Sequence, residues 1–123
     1  SEMCIRDRMF VESEACRIVN DAKDRGNKVC AVGTSVMRAI ETAVGTDGRL
    51  KEFEGWTNKF IFPPYEFSLA DAMVSNFHMP LSTMLMLVCS YGGYELIMDA
   101  YNIALKEGYR FGTYGDAMLI LDK

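Results

Sequence analysis

The run KVCAVGTSVMRAIETAV, Lys28 to Val44, constrains this chain more than any other stretch. Lys28–Val32 is short, apolar and β-branched, the pattern of a strand buried inside a sheet. Gly33 breaks it, and Thr34–Val44 has helical spacing with Thr34 or Ser35 placed to cap its start. Before the strand, Ala15, Ile18, Val19 and Ala22 recur at helical spacing between Val11 and Arg25, and Gly26 follows in the usual terminating position. Helix, strand, helix in that order is the grammar of an α/β layer.

The remainder can be read the same way. Gly45–Asn58 is polar and glycine-rich, a loop or irregular hairpin. KFIF, Lys59 to Phe62, reads as a short strand stopped by Pro63 and Pro64. Asp71–Phe77 nearly alternates and reads as another strand, ended by Pro80. Ser82 or Thr83 then caps a helix reaching about Tyr91, and Gly92-Gly93 separates it from a second. That second helix presents Leu96, Ile97, Ala100, Ile103 and Ala104 on one face and closes at Gly108. Gly115–Leu121 reads as a final buried strand. The expectation is a three-layer α/β/α sandwich of three or four strands, incomplete as it stands. Sheets of this class are covered on both faces, so so few strands are expected to leave an apolar patch. Residues 1–8, SEMCIRDR, show no periodicity and are set aside as a non-native leader, which leaves 9–123 as the folded portion.

At 123 residues the chain suits one hydrophobic core. A net charge of −4 gives little general attraction for nucleic acid, so any such contact needs a local basic patch or a further domain. The four cysteines, Cys4, Cys16, Cys30 and Cys89, form no CxxC pair, and His78 is the only histidine, so no metal site is expected. Cys30 and Cys89 lie in apolar runs and read as small buried hydrophobes, consistent with a reduced, cytoplasmic setting. The apolar run Leu85–Val88 is too short to span a bilayer, so no membrane partner is expected.

Four spots can carry chemistry, and each has a plainer reading. AVGTSVMRAIE, Ala31 to Glu41, is either an ordinary βα turn or a loop whose free N–H groups at Gly33, Thr34 and Ser35 receive an anion. Arg38 and Glu41 lie three apart and suit a surface pair. SNFHMPLST crowds Ser75, Asn76, His78, Ser82 and Thr83 at a strand exit, where open α/β sheets hold ligands. There His78 is a structural hydrogen-bonding residue or a base. YRFGTYGDAML sets Arg110, Thr113, Tyr114 and Asp116 around two glycines, a turn with an Asp116–Arg110 pair or a binding loop. PPYEFSLADA places Tyr65, Phe67 and Asp71 in an aromatic loop that either packs on itself or meets a ligand.

Taken together, AVGTSVMRAIE, FIFPPYEF, DAMVSNFHMPLSTMLMLV and YRFGTYGDAMLI resemble the carboxy-terminal motifs of the S-adenosylmethionine:tRNA ribosyltransferase-isomerase family of queuosine biosynthesis. The resemblance runs from about Met9 to Ile120, and NFHMPLSTMLMLV is its most specific element. Pro64 stands where the family commonly has glycine, Met79 where it has leucine, and Gly112 and Thr113 where an aromatic and a serine are usual. The resemblance implies that an amino-terminal part, with a share of the α/β layer and a β-barrel domain, belongs to the complete protein, which is expected to be a monomer.

The activity that the resemblance implies consumes S-adenosylmethionine as a cosubstrate. Its ribosyl unit is transferred and isomerised onto the aminomethyl group of 7-aminomethyl-7-deazaguanine at the tRNA wobble position, giving epoxyqueuosine with loss of adenine and methionine. Such chemistry needs a base for a proton beside the sulfonium. His78 is the titrating candidate, with Asp116 and Asp71 as acid–base alternatives. Thr34, Ser35 and Arg38 suit the methionine carboxylate or a tRNA phosphate, and Tyr65 or Phe67 suit stacking on a base. Gly33, Asn76, Ser82, Thr83, Arg110 and Tyr114 complete the expected substrate-binding set. The competing expectations are a nucleotide- or tRNA-binding module without chemistry, and a fragment inert without the rest of its protein.

Overall fold

A computed structural model describes residues 7–80 and 82–121. The elements run β1 (Asp7–Val11), α1 (Ser13–Asp24), β2 (Cys30–Val32), α2 (Thr34–Ala43), β3 (Phe53–Thr57), β4 (Ala72–Asn76), α3 (Thr83–Gly92), α4 (Tyr94–Lys106) and β5 (Ala117–Leu121). The strands form two sheets. One is three-stranded in the order β2-β4-β5, with β2 parallel and β5 antiparallel to the central β4. The other is the antiparallel ribbon β1-β3.

Register decides which side chains enter the core. Ala31 lies opposite Met73, and Met73 opposite Ile120. Strand side chains alternate between faces, so these three share one face. That face is buried in a single core with Met37 of α2, Leu87 and Val88 of α3, and Ile97 and Tyr101 of α4. The other face carries Cys30, Val32, Ala72, Val74, Leu119 and Leu121. There Val32, Leu119 and Leu121 are 64%, 61% and 68% exposed. The α/β sandwich is thus partial: one face of the sheet is covered, and the opposite apolar face is open among the described residues.

Several sequence expectations change for this reason. Cys30 is exposed because it falls on the open face, whereas Cys16 and Cys89 are buried; Cys4 lies outside the described residues. β5 is an edge strand whose Ile120 alone is buried. In α1 the inward residue is Cys16, and Ile18 is exposed. In α4 the inward face is Ile97, Tyr101 and Ala104, while Leu96 and Ile103 face outward. Hydrophobic spacing alone did not separate these faces because both helices carry apolar residues on more than one side.

The segment from Gly45 to Asn58 holds more order than its composition suggests. Val44 bridges Leu50 around a tight turn, and β3 then pairs with β1. Asn20 of α1 fixes the turn's exit: its amide donates to Leu50 O at 2.9 Å and its carbonyl accepts Leu50 N–H at 2.8 Å. The partner strand β1 begins at Asp7, so Asp7 and Arg8, within the stretch set aside as a leader, sit in the ladder opposite Thr57 and Trp56. Residues 1–6 of that stretch lie outside the described residues. Lys59–Phe62 is not a strand. The Lys59 carbonyl accepts from Arg38 Nε at 2.8 Å rather than from a ladder, and Ile61 plugs the core.

An open apolar sheet face predicts a property of the isolated 123-residue chain. It should bind a hydrophobic dye, and Val32→Thr with Leu119→Thr should lower that signal while leaving the fold by circular dichroism. A dye-negative monomer at high concentration would contradict the assignment of this face.

Candidate functional site

Parallel pairing puts the carboxyl ends of β2 and β4 at the same edge of the sheet. Beyond them lies a cavity of about 380 Å³. It is lined by Gly33–Val36 after β2, by Ser75 and Asn76 at the end of β4 with His78, Met79, Pro80 and Ser82 after it, and by Gly112 and Thr113 before β5. Crevices outside the carboxyl ends of strands are where open α/β sheets bind ligands.

Two helices begin at this cavity. Gly33 reaches a positive φ of 104°, which a side chain would resist, and its N–H bonds Val74 O at 2.8 Å. That contact ties the start of α2 to β4. No side chain caps α2, and its first internal bond is Met37 N–H to Gly33 O, so its leading N–H groups point out of the helix at the cavity wall. α3 is capped by Ser82, whose Oγ accepts from Leu85 N–H at 3.1 Å. The positive ends of both macrodipoles therefore meet one space and favour a negative group there.

His78 lines the same space. Its Nε2 is 2.8 Å from Ser75 Oγ, and its backbone N–H donates to the Tyr101 hydroxyl at 2.8 Å. Tyr101 is itself buried and packs edge-on against Phe77 and Phe111. The ring is thus held from β4, and its backbone from α4. Burial pushes the imidazole below its ordinary value, which keeps it neutral at pH 7.

The expected site residues divide by position. Gly33, Thr34, Ser35, Asn76, His78 and Ser82 all line the cavity. Asn76 also clamps the start of β5, donating to the Asp116 and Gly115 carbonyls at 3.2 and 3.4 Å. Thr83 follows the cap as the first residue of α3 and is not among the cavity's lining residues.

The others are placed elsewhere. Arg38 is 1% exposed, and its guanidinium donates to the Lys59 and Thr57 carbonyls, so it braces a loop rather than facing a ligand. Glu41, expected beside it on the surface, is buried and accepts from Tyr65 Oη at 2.9 Å and Ser68 N–H at 3.0 Å. Tyr65 and Phe67 pack edge-on at 4.8 Å, and Phe67 meets Tyr91 at 5.0 Å. Burial and the Glu41 bond drive the Tyr65 phenol far above its usual range. This aromatic loop packs on itself. Asp71 stands just before β4, at the end of the strand opposite His78. It accepts from Val29 N–H at 2.8 Å and pairs with Lys23 at 3.2 Å. Asp116 is exposed and its Oδ2 takes the Arg110 backbone N–H at 2.7 Å, closing the turn; it does not line the cavity. Arg110 is exposed, and Tyr114 is 98% exposed away from the lining. Among the described residues no three His, Cys, Asp or Glu side chains are grouped to hold a metal ion.

Sequence reasoning missed Tyr101 and the apolar wall of Val32, Met79, Pro80 and Met84. The signal for Tyr101 was present: a tyrosine one turn after Ile97 on a buried stripe needs a polar partner for its hydroxyl.

The family described as queuosine biosynthesis protein matches residues 2–120. This chain belongs to that family. The resemblance read from its motifs is thereby borne out. Relatives named S-adenosylmethionine:tRNA ribosyltransferase-isomerase include one from Phocaeicola vulgatus, 74% identical over 117 residues, and one from Parabacteroides distasonis, 76% identical over 115. The matches cover 95% and 94% of this chain and 33% of each relative, so the chain spans about a third of their length. The crystal structure of an S-adenosylmethionine tRNA ribosyltransferase from Thermotoga maritima superposes with a TM-score of 0.85 at 46% identity, over 91% of this chain and 39% of that one. This family member therefore carries the family's α/β architecture in the part that it spans. No helix among the described residues is long and apolar enough to cross a membrane.

The placement of Asp71 makes a test. Its carboxylate is held below the ordinary range, first by the Val29 N–H and then by Lys23. A depressed carboxylate contributes stability above its unfolded pKa of about 3.9, and that stability is lost as pH falls through the lower folded value. Asp71→Ala should cost about 1–3 kcal/mol, because Val29 N–H loses its partner. Urea unfolding at pH 7 and pH 3 checks this: the gap between wild type and variant should shrink at the lower pH.

Proposed function

We propose that this chain is the carboxy-terminal α/β portion, residues 9–123 with β1 entering from Asp7, of an S-adenosylmethionine:tRNA ribosyltransferase-isomerase. The activity consumes S-adenosylmethionine and converts 7-aminomethyl-7-deazaguanine at the wobble position of tRNA to epoxyqueuosine. Support for the activity comes from the names of the relatives; support for the site comes from His78 standing in a cavity where two helix N-termini meet.

In this reading His78 removes the proton beside the sulfonium. A neutral imidazole is required, and burial supplies that state. The leading N–H groups of α2, with the Thr34 and Ser35 hydroxyls, receive the methionine carboxylate. Met79, Pro80 and Met84 give the apolar wall that excludes water from the reacting centre. Asn76 holds the Gly115–Asp116 turn against the cavity, which fixes Gly112 and Thr113 at its rim. The tRNA contacts belong to the remaining two thirds of the protein, since this chain carries a net charge of −4. The setting is cytoplasmic, where tRNA and S-adenosylmethionine are found, and the complete protein acts as a monomer.

Turnover, binding and melting measurements test this. The isolated chain should show no turnover with labelled S-adenosylmethionine and precursor tRNA. Joined to the amino-terminal two thirds of the Phocaeicola vulgatus relative, it should turn over. In that joined enzyme His78→Ala should lower the single-turnover rate by a factor of about a hundred to ten thousand. Binding of S-adenosylmethionine should change far less. A joined His78→Ala enzyme that melts early yet turns over normally makes His78 structural, and a joined wild type without turnover overturns the activity.

A further inference from the structure

Ser75 is 2% exposed, and its hydroxyl has two neighbours. It lies 3.0 Å from the Asn76 carbonyl oxygen and 2.8 Å from His78 Nε2. A hydroxyl carries one proton and can also accept. The carbonyl can only accept, whereas an imidazole nitrogen can do either, according to tautomer. Only one assignment satisfies both contacts: Ser75 donates to Asn76 O, and His78 Nε2–H donates to Ser75 Oγ. The other assignment would give the proton to Nε2 and leave the carbonyl facing a lone pair at 3.0 Å.

We propose that Ser75 is a positioning residue that holds His78 in the Nε2-protonated tautomer and leaves Nδ1 as the lone pair that accepts the substrate proton. The proposal rests on the reading of His78 as the base. Among the described residues no hydrogen bond reaches Nδ1, and His78 is one of the residues that line the cavity. In the step itself Nδ1 takes the proton, the ring becomes imidazolium, and its positive charge is shared with an Nε2–H already bonded to Ser75 Oγ. No proton moves through Ser75. The backbone bond from His78 N–H to Tyr101 fixes where the ring starts, and Ser75 fixes how it is turned. Burial keeps the ring neutral beforehand, so the choice of tautomer is a choice of which nitrogen is basic.

His78 is the only histidine of the chain, so an ¹⁵N-labelled sample gives one imidazole pair to assign. Above about pH 7, where the ring is neutral, the Nε2 signal should be that of a protonated nitrogen and the Nδ1 signal that of an unprotonated one. Ser75→Ala should move both signals towards the averaged values of a tautomer mixture. Ser75→Thr keeps the hydroxyl and should keep the wild-type pattern. In the joined enzyme Ser75→Ala should slow the single-turnover rate about tenfold or more, the direction expected for a wrong tautomer, and Ser75→Thr should restore it. A wild-type ring protonated on Nδ1 overturns the proposal without any variant, and so does an unchanged pattern in Ser75→Ala. An Nε2–H ring in an enzyme that turns over without His78 overturns the catalytic reading and leaves the tautomer assignment standing.

Discussion

Parallel pairing of β2 with β4 is the constraint on which the rest of this structure depends. The ladder sets Cys30, Ala31 and Val32 beside Ala72, Met73 and Val74. Because the strands run the same way, whatever follows Val32 and whatever follows Asn76 must leave the sheet at one edge. Gly33 and His78 are 45 residues apart in the chain and become walls of one cavity through this pairing alone. An antiparallel pair would have sent them to opposite ends. A parallel connection needs a crossover, and here the crossover contains α2 and the excursion that places β3 on β1.

Around that edge the supports divide by chemistry. Apolar packing sets the distances: Met73 and Ala31 are fully buried beneath the strands, and Phe77, Tyr101 and Phe111 form the aromatic block behind His78. Hydrogen bonds then set orientations within that frame. Gly33 N–H to Val74 O joins the α2 start to β4, Gly112 N–H to Phe77 O joins the β5 turn to the strand exit, and Tyr101 receives the His78 amide. Gly115 permits the turn to close, since a Cβ there would overlap the Arg110 carbonyl. The charged residues Asp71, Lys23, Arg38 and Glu41 serve the frame at a distance from the cavity, where each pairs with backbone or with a neighbour. Of these, Arg38 and Asp71 were the candidates for the site, and both already have partners within the frame.

The sheet's other face shows what the chain's length leaves undone. Val32, Val74, Leu119 and Leu121 make an apolar surface of the kind that α/β sheets cover with helices. This chain matches a third of its relatives' length, and its own helices and core lie with the opposite face. The cavity at the sheet's edge includes Val32, so the wall of the site and the open face share a residue.

Local sequence determined the element types wherever a segment carried its own signal. Gly33 after an apolar run, Ser82 before one, and the breaks at Gly26, Gly93 and Gly108 were legible because capping and turn chemistry act over a few residues. His78 at a strand exit was legible for the same reason, as were the motifs that placed the chain in its family. The tertiary structure decided everything that needs a distant partner. β3 exists only because residues 7–11 pair with it, and Lys59–Phe62 is irregular because Arg38 takes the Lys59 carbonyl. Which face of β2 and β5 is buried depends on register against β4, and where the His78 backbone is held depends on the Tyr101 hydroxyl, brought from α4. Spacing along a chain reports periodicity, but burial and hydrogen-bond partners are properties of pairs, and those pairs form only when the chain has folded.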